Sequence, residues 1–133
     1  MEPEIIKIST FKSSEGNLSI IDKRNNIPFE VKRIFYLYNI PQNTQRGGHA
    51  HKSLKQFIWV INGQLEIITF SKNDPQKKFV LDCPDIGLYI PELTWSYQIT
   101  RSYNTIYCVA ASDYYDENEY IKKWEDFIKE VNN

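Results

Sequence analysis

The stretch Arg46-Gly47-Gly48-His49-Ala50-His51 leads into Gln56-Phe57-Ile58-Trp59-Val60-Ile61, then Asn62-Gly63, then Gln64-Leu65-Glu66-Ile67-Ile68-Thr69-Phe70. It holds both histidines of the chain. In extended backbone, residues two apart point to the same side, so His49 and His51 would aim at one shared point. The two runs that follow are rich in β-branched and aromatic residues. They flank Asn62-Gly63, a pair that accepts the positive φ of a type I′ turn. The reading is two strands joined as a hairpin, preceded by an imidazole pair on one face.

The same texture extends in both directions. Upstream, Glu4–Phe11 carries the first apolar stretch and Ser13–Asn17 reads as a turn; Leu18–Asp22 follows, then a polar turn at Lys23–Asn26 with Pro28. Val31–Asn39 (VKRIFYLYN) reads as a well-buried strand, and Pro41–Gly48 as a polar loop. Downstream, a second hairpin turn falls at Lys72–Gln76 and returns through Lys78–Asp82. Asp85–Ile90, Trp95–Thr100 and Thr105–Ala111 complete the set, with Gly87 and Pro91 expected at strand ends and bends. Short strands separated by turn signals make a sandwich or barrel. From Glu119 the period changes: Tyr120, Ile121, Trp124, Phe127, Ile128 and Val131 recur at spacings of three and four. That predicts an amphipathic helix over about residues 117–131, docked on a barrel of about residues 4–112 and capped by Asp116 or Asn118.

With 133 residues and no linker, repeat or low-complexity tract, the chain reads as a single domain. Nine Tyr, seven Phe and three Trp favour strands and concave binding surfaces. A net charge of −1, with basic residues scattered among acidic ones, leaves no field to attract nucleic acid. Apolar runs of about five residues are far short of the roughly twenty that a membrane span needs. The start, Met1-Glu2-Pro3-Glu4, has no signal-peptide character. A cytoplasmic protein is expected. Cys83 and Cys108 lack zinc or redox spacing and read as thiols in a reducing compartment, with a disulfide as the alternative.

His-x-His followed after an apolar run by Gly63 is the layout of the first cupin motif, and Gly87-x-x-x-Pro91 echoes the second. The expected fold is therefore an all-β cupin, a jelly-roll β-barrel with a C-terminal α-helix. A metal-binding cupin adds a Glu in the first motif and a third His in the second. Here Gln56 stands in the first place, and Pro91–Ile99 contains no His. Gln is a poor ligand and two imidazoles hold a divalent ion weakly, so no metal is expected. One reading of the pair is structural, two buried histidines satisfied by hydrogen bonds. The other is proton transfer, for which imidazole titrates nearest neutrality. Tyr36 and Tyr38 alternate with Phe35 and Leu37, and a tyrosine hydroxyl could polarise a carbonyl or orient a histidine; both tyrosines also fit a structural role.

Lys32-Arg33-Ile34-Phe35-Tyr36, Arg46-Gly47-Gly48-His49-Ala50-His51-Lys52, Gly87-Leu88-Tyr89-Ile90 and Ala111-Ser112-Asp113-Tyr114-Tyr115-Asp116-Glu117 resemble the sugar 3,4-ketoisomerases over nearly the whole chain. These enzymes act on dTDP-4-keto-6-deoxyglucose on the way to amino-deoxysugars. The resemblance implies a cupin homodimer with exchanged N-terminal strands, no metal and no cofactor, and catalysis by His49 and His51 with Tyr36 nearby. It suggests Arg46 and Arg33 for the pyrophosphate, since guanidinium matches phosphate oxygens bidentately; ion pairing is the alternative for each. Trp95 and Tyr97 are candidates for the sugar or thymine pocket, or else for core packing. Two positions depart from the family pattern. Glu15 stands where a D-x-R-G turn has arginine, and Ser96 where a histidine often follows the tryptophan. Both are candidate substrate contacts that would bear on the galacto or gluco outcome. Rival readings are a nucleotide-sugar 3,5-epimerase and a non-catalytic sugar-binding cupin.

Overall fold

The computed structural model describes Met1–Asn133. One antiparallel sheet runs in the order β1 (Glu4–Lys7), β9 (Ile86–Ile90), β6 (Gln56–Asn62), β11 (Ile106–Ala111) and β4 (Arg33–Leu37). A second runs β12 (Tyr120–Ile121), β5 (Gln45–His51), β10 (Trp95–Thr100), β7 (Leu65–Ser71) and β8 (Asp74–Leu81). The hairpin β2 (Ser9–Ser13) and β3 (Gly16–Ile20) pairs with neither sheet. Helix α1 (Trp124–Val131) ends the chain. This is the all-β barrel with a terminal helix that the sequence implies.

Alternation along each strand distributes the core. Ile58, Val60, Tyr107 and Val109 of the first sheet meet Leu65, Ile67 and Leu81 of the second between the sheets. The opposite face of β6 presents Phe57 and Trp59 to a second layer made by Ile8, Ile27 and Phe29. Gln56–Val60 is therefore buried on both sides, which is why it reads as an unbroken apolar run. Outside the second sheet, Phe127 and Val131 of α1 pack with Ala50 and Ile121, and Phe70 and Trp95 lie against them. At about 25 cal/mol per Å² of apolar surface, each such large side chain contributes roughly 1.5–3 kcal/mol.

Several expectations change. Val31–Asn39, expected as a well-buried strand, holds β4, which lies at the edge of its sheet and is largely exposed. Asn62-Gly63 does not close a hairpin: β6 and β7 lie in different sheets, and of the two residues only Gly63 has positive φ (91°). The pair turns a corner between layers, packed so tightly that a Cβ on Gly63 would lie 2.7 Å from the Cα of Thr105. The stretch Glu4–Phe11 is two strands, broken at buried Ile8 where the chain leaves the edge of β9 for the sheet's outer face. Gly87 lies within β9, not at its end. The helix begins at Trp124, because Tyr120 and Ile121 pair with β5 as a short strand. Asp116 caps a 3₁₀ turn, Glu117–Glu119, by accepting a bond from the Asn118 amide.

Candidate active site

His49 and His51 share the inner face of β5, as period two requires. Across the ladder His49 lies opposite Ser96, and His51 opposite Tyr120. Arg46, three residues before His49, would face outward on a regular strand. A β-bulge prevents this: Tyr97 pairs with Gly47 and Ser96 with His49, which leaves Gly48 unopposed. Gly47 and Gly48 supply the positive φ, 92° and 87°. Arg46 therefore rejoins the inner face opposite Gln98.

The result is a cavity at one end of the barrel whose wall includes Arg46, His49, Gln56, Gln98, Tyr107 and Tyr120. His51 sits one pleat further along, 5% exposed, its ring nearly perpendicular to His49 with centroids 5.2 Å apart. Tyr120 packs on both imidazoles, at 4.5 Å from His51 and 5.0 Å from His49. Neither ring nitrogen of His51 has a hydrogen-bond partner in the protein. Buried polar atoms are nearly always paired, so an orphaned imidazole favours the proton-transfer reading over a histidine pair satisfied in the core.

Burial pushes the proton affinity of His51 down to about 4, with His49 and Arg33 adding to the fall and Glu119 opposing it. His49 is lowered by burial and by Lys122. Both rings are thus neutral at pH 7 and able to accept a proton. In the unfolded chain His51 titrates at its ordinary 6.5, so that state binds the extra proton between pH 6.5 and about 4. The stability that a neutral His51 confers is present above pH 6.5 and lost as pH falls through this window. The amount is on the order of 3 kcal/mol. Urea midpoints measured from pH 7 to 4.5 should fall more steeply for the native protein than for His51→Asn, and equal slopes would contradict the assignment.

The other expected residues divide between the two faces. Ser96 is buried beside His49 on the inner face. Arg33 lies 5.3 Å from the Phe35 ring and 5.7 Å from that of Tyr115, and its Nε is buried without a partner. Tyr36 is 63% exposed on the outer face, stacked on Tyr38, whereas Phe35 and Leu37 face the cavity. Trp95 and Tyr97 also lie on an outer face, in the packing role that was the alternative for them. Both point outward from β10, Trp95 onto Trp124 and Phe127 and Tyr97 towards Phe70. Glu15 is exposed in the β2–β3 turn, away from the cavity of its own chain. Tyr120 and Tyr107 were not expected at the site. The only sequence signal for Tyr107 is its parity with Val109 on β11, and Tyr120 reads as part of the helix.

A larger groove, about 470 Å³, lies between the β2–β3 hairpin and the outer face of the first sheet. It contains neither an imidazole nor an arginine, whereas His49 and Arg46 line the smaller cavity.

Two facing antiparallel sheets with a histidine pair inside one end define a cupin barrel. The family described as FdtA (WxcM-like, C-terminal) matches residues 1–132. A TDP-4-oxo-6-deoxy-α-D-glucose 3,4-oxoisomerase of Aneurinibacillus thermoaerophilus is 36% identical over 131 residues, 98% of this chain and 94% of that one. Among solved structures, the sugar 3,4-ketoisomerase QdtA from Thermoanaerobacterium thermosaccharolyticum in complex with TDP superposes with a TM-score of 0.92 at 32% identity, covering 98% and 95% of the two chains. A 3,4-ketoisomerase from Helicobacter canadensis gives 0.92 at 35%, covering 100% and 99%. The chain belongs to the sugar 3,4-ketoisomerase family. A dTDP-4-dehydrorhamnose 3,5-epimerase from Bacillus anthracis shares the fold alone, at 16% identity.

Proposed function

We propose that the protein is an isomerase that converts dTDP-4-keto-6-deoxy-D-glucose to a dTDP-3-keto-6-deoxyhexose. The observation that carries this is the pair of neutral, inward-facing imidazoles, one of them without internal partners, in a chain 36% identical to a 3,4-oxoisomerase. The C3 proton is acidified by the neighbouring carbonyl. A histidine removes it and the electron pair moves onto the C4 oxygen, giving an enediolate. Protonation of that oxygen, loss of the C3 hydroxyl proton and protonation at C4 complete the transfer. The electrons stay within the sugar, so no redox cofactor enters. One imidazole handles the carbon-bound proton and the other the oxygen-bound one. Arg46 at the cavity wall suits the pyrophosphate, and Ser96 and Gln98 offer hydroxyl and amide contacts to the sugar. A 3,5-epimerase would also start by deprotonation beside the C4 ketone, but its product keeps the ketone at C4; a binding module would leave the sugar unchanged.

No metal is assigned a role, because no three His, Cys, Asp or Glu side chains converge and Gln56 occupies the acidic ligand position of the motif. The test is to incubate the protein with dTDP-4-keto-6-deoxyglucose and follow the keto carbon by NMR, with and without prolonged chelation. Migration from C4 to C3 at equal rates in both is expected. A ketone that stays at C4, or activity lost to chelator and restored by one divalent ion, would overturn the respective part.

The homodimer with exchanged N-terminal strands is supported by surface chemistry. The β2–β3 hairpin bonds to no other strand and exposes Phe11 (63%) and Leu18 (58%). The edge strand β4 exposes Ile34 and Tyr36 on its outer face, and Tyr38, just beyond the strand, stacks on Tyr36 and is exposed too. Light scattering should give about twice the chain mass, and a fully active monomer at micromolar concentration would contradict the exchange. No helix is long and apolar enough to cross a membrane, in keeping with a cytoplasmic enzyme of charged nucleotide sugars.

A further inference from the structure

Immediately after His51 the chain turns a tight corner, Lys52-Ser53-Leu54, before entering β6. One residue holds that corner. The side chain of Glu119 accepts bonds at Oε1 from the amides of Ser53 (2.6 Å) and Leu54 (2.8 Å), and at Oε2 from the Ser53 hydroxyl (3.0 Å). Its own carbonyl accepts from the Lys52 amide at 3.0 Å, and its amide is fixed to the carbonyl of Asp116 at 3.1 Å. The next residue, Tyr120, is the one laid against both imidazoles. A half-buried carboxylate tied at this many points is more than a corner between two sheets requires, and its position is set relative to His51 by the β5–β12 ladder.

We infer that Glu119 is a positioning residue for the proton-transfer pair: it pins the corner after His51 and holds a fixed negative charge beside that imidazole. The inference rests on the ketoisomerase reading and adds to it how the base is tuned. The groups facing His51 are His49 on its own strand, Arg33 on β4, and Glu119 and Tyr120 at β12; Tyr115 packs on Tyr120 and Arg33, and Lys122 acts on His49. Of the charged groups that act on His51, Glu119 is the one of negative sign. Burial alone would raise the carboxyl of Glu119, but the two amides and the hydroxyl hold it below the ordinary carboxylate range. It is therefore ionised at neutral pH. When His51 takes the carbon-bound or oxygen-bound proton, the imidazolium forms next to a carboxylate that needs no reorganisation.

Glu119→Gln isolates this charge. Both backbone bonds go to one oxygen, which an amide carbonyl reproduces, and the third partner is a hydroxyl that can accept from the new NH₂. The corner is kept and the charge removed. Loss of the charge should move the acid limb of kcat/KM to lower pH by at least roughly half a unit, with the His51 imidazole followed by NMR moving the same way. Ser53→Ala, which retains the charge and both amides, should leave limb and titration in place. An unmoved His51 titration in Glu119→Gln, or an equal shift in Ser53→Ala, would make Glu119 a corner clamp only. The NMR titration needs no turnover. A chain that isomerises no keto-sugar would overturn the proposed function while the titration still decides the role of Glu119.

Discussion

Replacing His51 with asparagine should lower isomerisation by about 10²–10⁴-fold while the protein still folds, and His49→Asn should do the same. Asparagine keeps a polar side chain at the position but cannot take up a proton near neutral pH. Neither nitrogen of His51 bonds within the protein, so the substitution breaks no internal hydrogen bond and its cost falls on the chemistry. His49 lies on the cavity wall, and on the proposed function its loss removes a group next to the substrate. The two variants should differ in solvent deuterium. The variant lacking the carbon-acid base should stop ring exchange altogether, whereas the other should retain slow exchange with little product. Thermal melts confirm folding and NMR of the ketone measures turnover. Near-native rates in both variants would assign the histidines to structure and remove them from the mechanism.

Gly87→Ala should lower the unfolding midpoint by roughly 10 °C, corresponding to about 2–4 kcal/mol. Gly87 lies opposite Trp59 in the β9–β6 ladder, with the tip of the Phe57 ring close against it. A Cβ there would overlap that ring, lying 2.6 Å from its Cε2, and would stand 2.8 Å from the Ile58 carbonyl oxygen. Phe57 is fully buried and stacked on Trp59, so it has nowhere to move without disturbing the second core layer. Phe57→Leu, which leaves room beside the strand, should be destabilising alone yet recover part of the loss when combined with Gly87→Ala. Strict additivity of the two would show that the methyl is accommodated elsewhere and that the close approach is not the cause.

The barrel and the histidine pair were legible because each depends on short-range period. His49 and His51 had to share a face, and the continuous apolar run that opens at Phe57 had to be a strand, buried on both sides through Val60. Residues were misplaced where parity lacked contrast. On β4 one face carries Arg33, Phe35 and Leu37 and the other Ile34 and Tyr36, both apolar or aromatic, so nothing local says which is inside. On β10 the contrast is strong but points the other way: the smaller and more polar Ser96 and Gln98 face the cavity, while Trp95 and Tyr97 pack on Phe70 and the terminal helix. Glycine pairs hide more. Gly47-Gly48 reads as the end of a loop, yet it is the bulge that returns Arg46 to the histidine face. Tyr120 fits the helical spacing of its neighbours, but pairing with an otherwise open edge of β5 overrides that spacing.

The two-residue corner at Asn62-Gly63 bears on how the molecule reaches this state. It sends consecutive strands into opposite sheets, and the first sheet awaits β9 and β11 just as the second awaits β10 and β12. Neither layer can be completed from a local segment, because each needs partners from the last third of the sequence. Apart from the local β2–β3 and β7–β8 hairpins, loop closure must precede the reward, so refolding belongs to the millisecond-to-second regime of non-local β topologies. On the ribosome, the barrel would stay open until β11 has emerged, and the apolar run Phe57–Ile61 would spend that interval uncovered. It is the segment a holdase chaperone would bind first.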